Sequence, residues 1–201
     1  FEVGIRQMAG DCIYLSREDV GLGVRELESD VAGVLERWVD GIVARVLSHH
    51  SLELLAGSAS IPVINGLSDL EHPCQAIGDL LTVYQHKGGL EGVTVAFVGD
   101  GNNVASSLVL ACASVGANIV LASPQDYRVP DFVWEEARKR SALHKSRLEW
   151  TDDVHKAVDG ADVVYTDVWT SMGQETETVK RLKAFDGYKV DEGLFSHAAS
   201  D

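Results

Sequence analysis

The chain has 201 residues, 45% of them hydrophobic, so it is long enough to bury one sizeable core or two smaller ones. Its 17 basic and 31 acidic residues give a formal net charge of −14, which argues against nucleic acids and anionic membranes as partners. No apolar run approaches the length of a membrane span, and the three scattered cysteines indicate a reducing compartment with neither a disulfide framework nor metal-ligand spacing.

Apolar runs typical of strands alternate with amphipathic stretches typical of helices throughout the chain. The first predicted elements are strand 12–16, helix 27–39, strand 41–47, helix 49–59, strand 61–65 and helix 72–86. After Gly88 and Gly89 come strand 93–99, helix 102–116, strand 117–124, helix 130–143, strand 147–151, helix 152–161 and strand 162–167. This alternation predicts an α/β protein whose parallel sheets are covered on both faces.

The Gly-Gly pair is the predicted seam between two similar α/β halves. On this interpretation residues 1–88 form one domain and residues 89–201 form the other. The helix 72–86 then joins the two domains.

The helix 72–86 opens with His72 and Pro73, and proline fits a first helical turn because its missing N–H would be unbonded there anyway. His72 is therefore predicted to cap the helix, with Gln75 one turn along on roughly the same face. Cys74 is predicted to pack as a small buried residue. The apolar positions predict one buried stripe formed by Ala76, Ile77, Leu80 and Leu81.

The segment "FVGDGNNVASSL" at 97–108 runs from a strand through a Gly-rich turn into a helix, where ligands of open α/β sheets gather. Gly99 and Gly101 fit the start of a dinucleotide-binding fingerprint. Val104 replaces its third glycine, however, and the next strand ends without the acid that would hold a ribose. A helix start that needs small residues and an Asn cap explains the turn better.

Asp167 ends another predicted strand, in "YTDVWTSMGQE" at 165–175. A carboxylate followed by a turn of free backbone N–H groups suits a zwitterion, because the acid binds the ammonium and the turn binds the carboxylate. The simpler alternative is a cap for the following helix, and the residue alone does not decide between them. Acidic residues 135–136 and 175–177 are interpreted as solvated helix faces.

Arg45 stands within an apolar strand, where an arginine is seldom buried without an anionic partner. The alternative is a strand-end arginine whose head group reaches water, and both interpretations stay open. His49 and His50, at the start of the next helix, lack partners at ligand spacing and are interpreted as caps.

Four stretches of the sequence, taken together, identify a protein family more specifically than any one of them does alone. They are "FEVG" at 1–4, "PVINGLSDLEHPCQAIGDLLT" at 62–82, "VGDGNNVASSL" at 98–108 and "DVVYTDVWTSMGQE" at 162–175. In this order and spacing they closely resemble the ornithine carbamoyltransferases, in the aspartate/ornithine carbamoyltransferase family. The resemblance covers almost the whole chain.

The resemblance implies a carbamoyl-phosphate-binding domain at 1–88 and an ornithine-binding domain at 89–201. It also implies a cytoplasmic homotrimer, or a multiple of trimers, that uses no metal or organic cofactor. The implied reaction, part of arginine metabolism, carbamoylates the side-chain amine of L-ornithine to give L-citrulline and phosphate. The matching residues are Arg45, His72 and Gln75 for carbamoyl phosphate, and Asn103, Asp167, Ser171 and Met172 for ornithine.

These residue types suit that chemistry. Attack by an amine on the carbamoyl carbon builds negative charge on the carbonyl oxygen. A neutral His72, the guanidinium of Arg45 and the positive end of the helix can each oppose that charge. Gln75 is expected to hold the carbamoyl nitrogen, and the binding of two substrates side by side supplies much of the remaining rate enhancement.

The family pattern also includes a phosphate-binding Ser-Thr-Arg-Thr-Arg turn, expected ahead of Phe1, and a His-Cys-Leu-Pro segment, expected after Asp201. The sequence is therefore expected to be the middle of the enzyme. Two alternatives stay open: a carbamoyltransferase for another amine or amino acid, and a non-catalytic carbamoyltransferase-like module. Aspartate-specific relatives share His-Pro-x-Gln but lack the Ser-Met-Gly segment found at 171–173.

Overall fold

All strands in the described part of the chain run parallel, and they form two separate sheets. The computed structural model describes residues 1–170 and 175–200. The chain folds into two compact units, Phe1–Asp69 and Leu70–Asp201, and each is described by itself below. The predicted α/β class with parallel sheets is confirmed.

The first unit contains a two-stranded sheet and four helices. In chain order its elements are α1 Glu2–Gln7, α2 Arg17–Val20, α3 Glu28–Leu35, β1 Ile42–Arg45, α4 His49–Ser58 and β2 Val63–Leu67. A small core of Ala32, Ala44, Leu52 and Leu55 lies between the sheet and the helices. The side chain of Ser48 begins α4 by accepting the N–H of Ser51.

The second unit contains a four-stranded sheet with the order β5-β4-β3-β6. Its elements are α5 Pro73–Lys87, β3 Thr94–Val98, α6 Asn103–Val115, β4 Asn118–Ala122, α7 Asp131–His144, β5 Leu148–Thr151, α8 Val154–Val158, β6 Val163–Thr166, α9 Thr178–Ala184 and α10 Glu192–Phe195. Short 3₁₀ turns lie at Gln125–Tyr127 and Glu175–Glu177.

Buried residues cover both faces of this sheet. Val95 and Phe97 of β3 belong to a core with α5, α6 and α7, whereas Ala96 and Val98 face a second core that includes Phe185. The near-continuous apolar strands of this sheet follow from its two-sided burial, as the sequence predicted. The two-stranded sheet of the first unit differs, because Val43 and Ile64 are 39% and 41% exposed.

Two predictions about local structure are wrong. Residues 12–16 form no strand, and Tyr14 is 84% exposed, because no described strand lies beside this run to complete its hydrogen bonds. On α5 only Ala76 and Leu80 are buried, while Ile77 and Leu81 are 65% and 56% exposed. Only two of the four apolar positions therefore face a neighbour in this unit.

The residues at its two ends explain where helix α5 begins and where it ends. His72 occupies the N-cap position and Pro73 follows in the first turn, as predicted, and Gly88 ends the helix with a left-handed φ of 75°. The whole of α5 belongs to the second unit. The proposed domain boundary near residue 88 stays a prediction.

Candidate functional site

The order β5-β4-β3-β6 creates a switch point between β3 and β6. From β3 the chain winds outward through β4 and β5, then returns to place β6 on the other side of β3. In open α/β sheets the crevice at the carboxyl ends of two such strands is the usual ligand site. The turn at residues 99–103 follows β3, and residues 167–170 follow β6.

Asn102 and Asp167 meet at this switch point. Nδ2 of Asn102 donates to Oδ2 of Asp167 at 2.9 Å, while Oδ1 of Asn102 accepts the N–H groups of Val104 and Ala105 at 3.0 and 3.1 Å. Asn102 therefore begins α6, as the Asn-cap interpretation predicted, and also holds the candidate carboxylate in place.

Asp167 is half-buried and caps no described helix. Its Oδ1 accepts the N–H of the neighbouring Val168 at 2.8 Å, and the described residues after it, up to Thr170, are not helical. The ligand-facing role of Asp167 stays a prediction, because the described residues show only that it caps no helix up to Thr170. Asn103 lies at the first position of α6 beside this pair. Ser171 and Met172 lie outside the described residues.

A buried ion pair supports both segments, and the sequence interpretation missed it. Nη1 of Arg181 donates to Oδ2 of Asp100 at 2.6 Å and to the carbonyl oxygen of Trp169 at 3.0 Å. Its Nε donates to Glu177 at 3.2 Å, and the guanidinium lies 5.0 Å from the ring centre of Tyr127. One side chain of α9 thus joins the turn after β3 to the segment after β6.

The charge state of Asp100 reflects two opposed effects. Burial raises its pKa, while the adjacent Arg181 guanidinium acts against that rise. The sequence of α9, TVKRLKA, carries three basic residues and gives no local signal that Arg181 is the buried one. Its partner stands 81 positions away in the sequence, which no local rule reveals.

Gly101 is required by packing. A Cβ at this residue would lie 2.3 Å from the nitrogen of Val129 and 2.4 Å from the carbonyl carbon of Arg128. Its N–H donates to the carbonyl oxygen of Tyr127 at 2.8 Å. Close approach of two backbones explains the glycine in the G-x-G pattern, which argues further against the dinucleotide interpretation.

At the start of α5, the backbone N–H of His72 donates to Oγ of Ser107 at 2.8 Å, and the His72 side chain is half-buried. Gln75 is exposed, and its Nε2 donates to Oδ1 of Asp79 at 2.8 Å. Oδ2 of Asp79 accepts the hydroxyl of Tyr165 at 2.8 Å. Gln75 is thus connected to β6, two residues before Asp167.

In the first unit, Arg45 is the last residue of β1, beyond an irregularity in the pairing with β2. It is exposed and forms no ion pair with any residue in 1–170 or 175–200. This favours the strand-end interpretation over burial and leaves the guanidinium open to an anion.

The prediction that His49 and His50 act as caps is wrong. Ser48 caps α4, because its hydroxyl accepts a first-turn N–H. His49 instead contacts the buried Ser68, with 2.8 Å between Nδ1 and Oγ, and its backbone N–H donates to Asp69. His50 lies 3.6 Å from Glu53. Cys74, predicted to be buried, is half-buried.

Within the described ranges, no three His, Cys, Asp or Glu side chains are grouped closely enough to hold a metal ion. No described helix is both long and apolar enough to cross a bilayer.

Two family models match nearly the whole chain. The carbamoyl-P binding domain of aspartate/ornithine carbamoyltransferase matches residues 1–85, and the Asp/Orn binding domain of the same family matches residues 91–201.

Curated relatives carry the same family description. The chain is 49% identical over all 201 residues to an ornithine carbamoyltransferase of Bacillus subtilis, and 46% identical to one of Pyrococcus furiosus named as anabolic. It spans 63% and 64% of their lengths.

Solved structures of ornithine carbamoyltransferases also match nearly all of this chain. An ornithine carbamoyltransferase from Pyrococcus furiosus superposes with a TM-score of 0.94 at 45% identity, covering 99% of this chain and 64% of that one. An anabolic ornithine carbamoyltransferase from Campylobacter jejuni gives 0.92 at 35% identity, covering 100% and 67%.

Proposed function

Because this chain belongs to the aspartate/ornithine carbamoyltransferase family, we propose that the full-length protein carbamoylates L-ornithine. The carbamoyl group passes from carbamoyl phosphate to the side-chain amine, and the products are L-citrulline and phosphate. Because the chain spans less than two thirds of its curated relatives, the proposal concerns the complete protein.

The contact between Asn102 and Asp167 is the observation that carries the proposal. It fixes a carboxylate at the switch point of the second sheet, where an amino acid's ammonium group can bind. We propose that the Ser-Met-Gly segment that follows in the sequence binds the amino acid's carboxylate. Ornithine has both groups, and aspartate would add a second carboxylate near Asp167.

The reaction forms a C–N bond and breaks a C–O bond. The deprotonated amine of ornithine attacks the carbamoyl carbon, the carbonyl oxygen gains negative charge, and phosphate departs. We propose that His72 donates a hydrogen bond to this oxygen and that Arg45 opposes the charge on the oxygen and on phosphate. The proton lost by the attacking nitrogen passes to the departing phosphate, which is a far stronger base than the newly formed ureido group.

Family membership also supports three further proposals, namely that the protein is a homotrimer, that it is cytoplasmic and that it serves arginine synthesis. A relative at 46% identity is named as anabolic. Light scattering of the full-length protein tests the first proposal, and a mass other than three protomers or a multiple of three contradicts it.

The substrate is tested by citrulline formation. The full-length protein is supplied with carbamoyl phosphate and with ornithine, aspartate or putrescine in turn. We expect carbamoylation of ornithine at a much higher kcat/KM than that of the other two acceptors. Faster product formation from aspartate or putrescine would contradict the proposal.

A further inference from the structure

We propose that Asp79 is a positioning residue that fixes the Gln75 side-chain amide so that its oxygen faces the amine of the carbamoyl group. This inference rests on the proposed function, in which Gln75 contacts the carbamoyl nitrogen. It adds a residue that does not touch the substrate but decides which end of an amide the substrate meets.

The first step is the hydrogen bond between Gln75 and Asp79. The two residues stand four positions apart on α5, so they lie on one face of the helix, and the distance from Nε2 to Oδ1 is 2.8 Å. An ionised carboxylate can only accept hydrogen bonds, so the amide nitrogen must face it. The opposite end of the amide, Oε1, is then left as an acceptor.

The second step concerns the ligand. A carbamoyl group carries an NH₂, which is a donor, beside a carbonyl oxygen, which is an acceptor. An amide oxygen at Gln75 matches the NH₂, whereas an amide nitrogen would place two donors face to face. A wrongly turned amide therefore opposes binding and does not merely fail to assist it.

The third step is the support of Asp79 itself. The Tyr165 hydroxyl donates to Oδ2 at 2.8 Å, so each carboxylate oxygen has a partner. The Tyr165 ring stacks on the fully buried Phe97, with 5.4 Å between ring centres and 17° between planes. Burial, followed by the bond to Asp79, raises the pKa of Tyr165 above its usual range, so its hydroxyl keeps the donated proton.

The test compares two ligands of the full-length protein by calorimetry. Carbamoyl phosphate carries the NH₂, and acetyl phosphate has a methyl group in its place with the same carbonyl and phosphate. In Asp79→Asn the new amide can donate, which allows Gln75 to turn its NH₂ toward the ligand. We expect the Kd of carbamoyl phosphate to rise at least tenfold and that of acetyl phosphate to change less than twofold.

Three companion variants complete the design. Asp159→Asn, on an exposed residue after α8, removes the same charge and leaves both Kd values unchanged. Gln75→Met removes the amide, and adding Asp79→Asn to it should then have no further effect, because Asp79 acts through Gln75. Tyr165→Phe keeps the Asp79 charge. It should raise the Kd of carbamoyl phosphate alone, by a smaller factor than Asp79→Asn does, and it preserves the test if Asp79→Asn fails to fold.

The role of Asp79 is overturned if Asp79→Asn weakens the binding of both ligands equally. It is also overturned if the effects of Asp79→Asn and Gln75→Met on the binding free energy of carbamoyl phosphate add fully in the double variant. If the wild type binds carbamoyl phosphate without forming citrulline, the ornithine proposal fails while the Asp79 comparison still stands. If the wild type binds neither ligand, both proposals are wrong.

Discussion

The guanidinium of Arg181 lies 2.6 Å from the carboxylate of Asp100, and both side chains are only 7% exposed. The bond joins α9 to the turn after β3, and the same guanidinium holds the carbonyl of Trp169 after β6. The two segments that carry Asn102 and Asp167 therefore share one support.

Removing the charge at this support should destabilise the fold strongly. In Arg181→Met the carboxylate of Asp100 stays buried without its partner, and a loss of about 3–5 kcal/mol in the free energy of unfolding is expected. Urea unfolding of the full-length protein measures it. Arg138→Met, on an exposed residue of α7, is the matched control and should change stability by less than about 0.5 kcal/mol. A similar small change in both variants contradicts the prediction.

Gly101→Ala should be destabilising for steric reasons alone. The new Cβ would meet the backbone of residues 128–129 at 2.3–2.4 Å, so one of the two backbone segments has to shift. We expect a loss of about 2–3 kcal/mol, at the upper end of typical overpacking. Gly57→Ala, in α4 with open space around it, should be neutral or stabilising. A thermal melt of Gly101→Ala that overlays the wild type would refute this account.

The buried thiol of Cys112 should make stability fall in alkaline solution. Burial raises the pKa of Cys112 from 9.0 to about 12. The folded state therefore holds the thiol proton more tightly than the unfolded state does. The stabilisation that comes from the protonated thiol is complete below pH 9 and is lost as the pH rises toward 12. By about pH 10 the loss is on the order of 1 kcal/mol.

Urea unfolding of wild type and Cys112→Ala at about pH 7 and about pH 10, with reductant present, measures this difference. For each protein the free energy of unfolding at the lower pH is subtracted from that at the higher pH. The constant effect of the smaller side chain then cancels, and only the change with pH is compared. We expect the wild type to lose more stability than the variant over this interval. Parallel pH profiles would show that Cys112 does not contribute.

Asp167→Asn should weaken ornithine binding selectively. The variant loses the negative charge proposed to bind the ammonium group, and its amide also disturbs the bond from Asn102. We expect the Kd of ornithine to rise more than tenfold while that of carbamoyl phosphate changes little, as measured by calorimetry. Asp186→Asn, on an exposed residue, is the charge-matched control. Equal weakening of both substrates would place Asp167 in a structural role.

His72→Ala and Arg45→Ala should each lower turnover far more than stability. Loss of one group that stabilises an oxyanion costs about 3 kcal/mol in the transition state, or roughly a hundredfold in kcat. His86→Ala, on the exposed last turn of the same helix, should keep wild-type turnover. Near-normal kcat in either test variant, in full-length protein that melts as the wild type does, would remove that residue from the mechanism.

The sequence alone determined the local features of this protein. Periodicity indicated the alternating elements from 93 to 167, and capping rules placed His72 and Asn102 at the starts of α5 and α6. The spacing of the motifs indicated the family. The periodicity and capping signals depend on residues within a few positions of one another, where helix and turn hydrogen bonds are formed.

Only the tertiary structure decided which distant residues meet. Asp100 and Arg181 are 81 positions apart, and Asp79 and Tyr165 are 86 apart. Both contacts depend on β6 pairing with β3 instead of β5, which the sequence pattern does not specify. The exposure of Ile77 and Leu81 has the same origin, since an apolar helix position is buried only where the sheet places a neighbour against it.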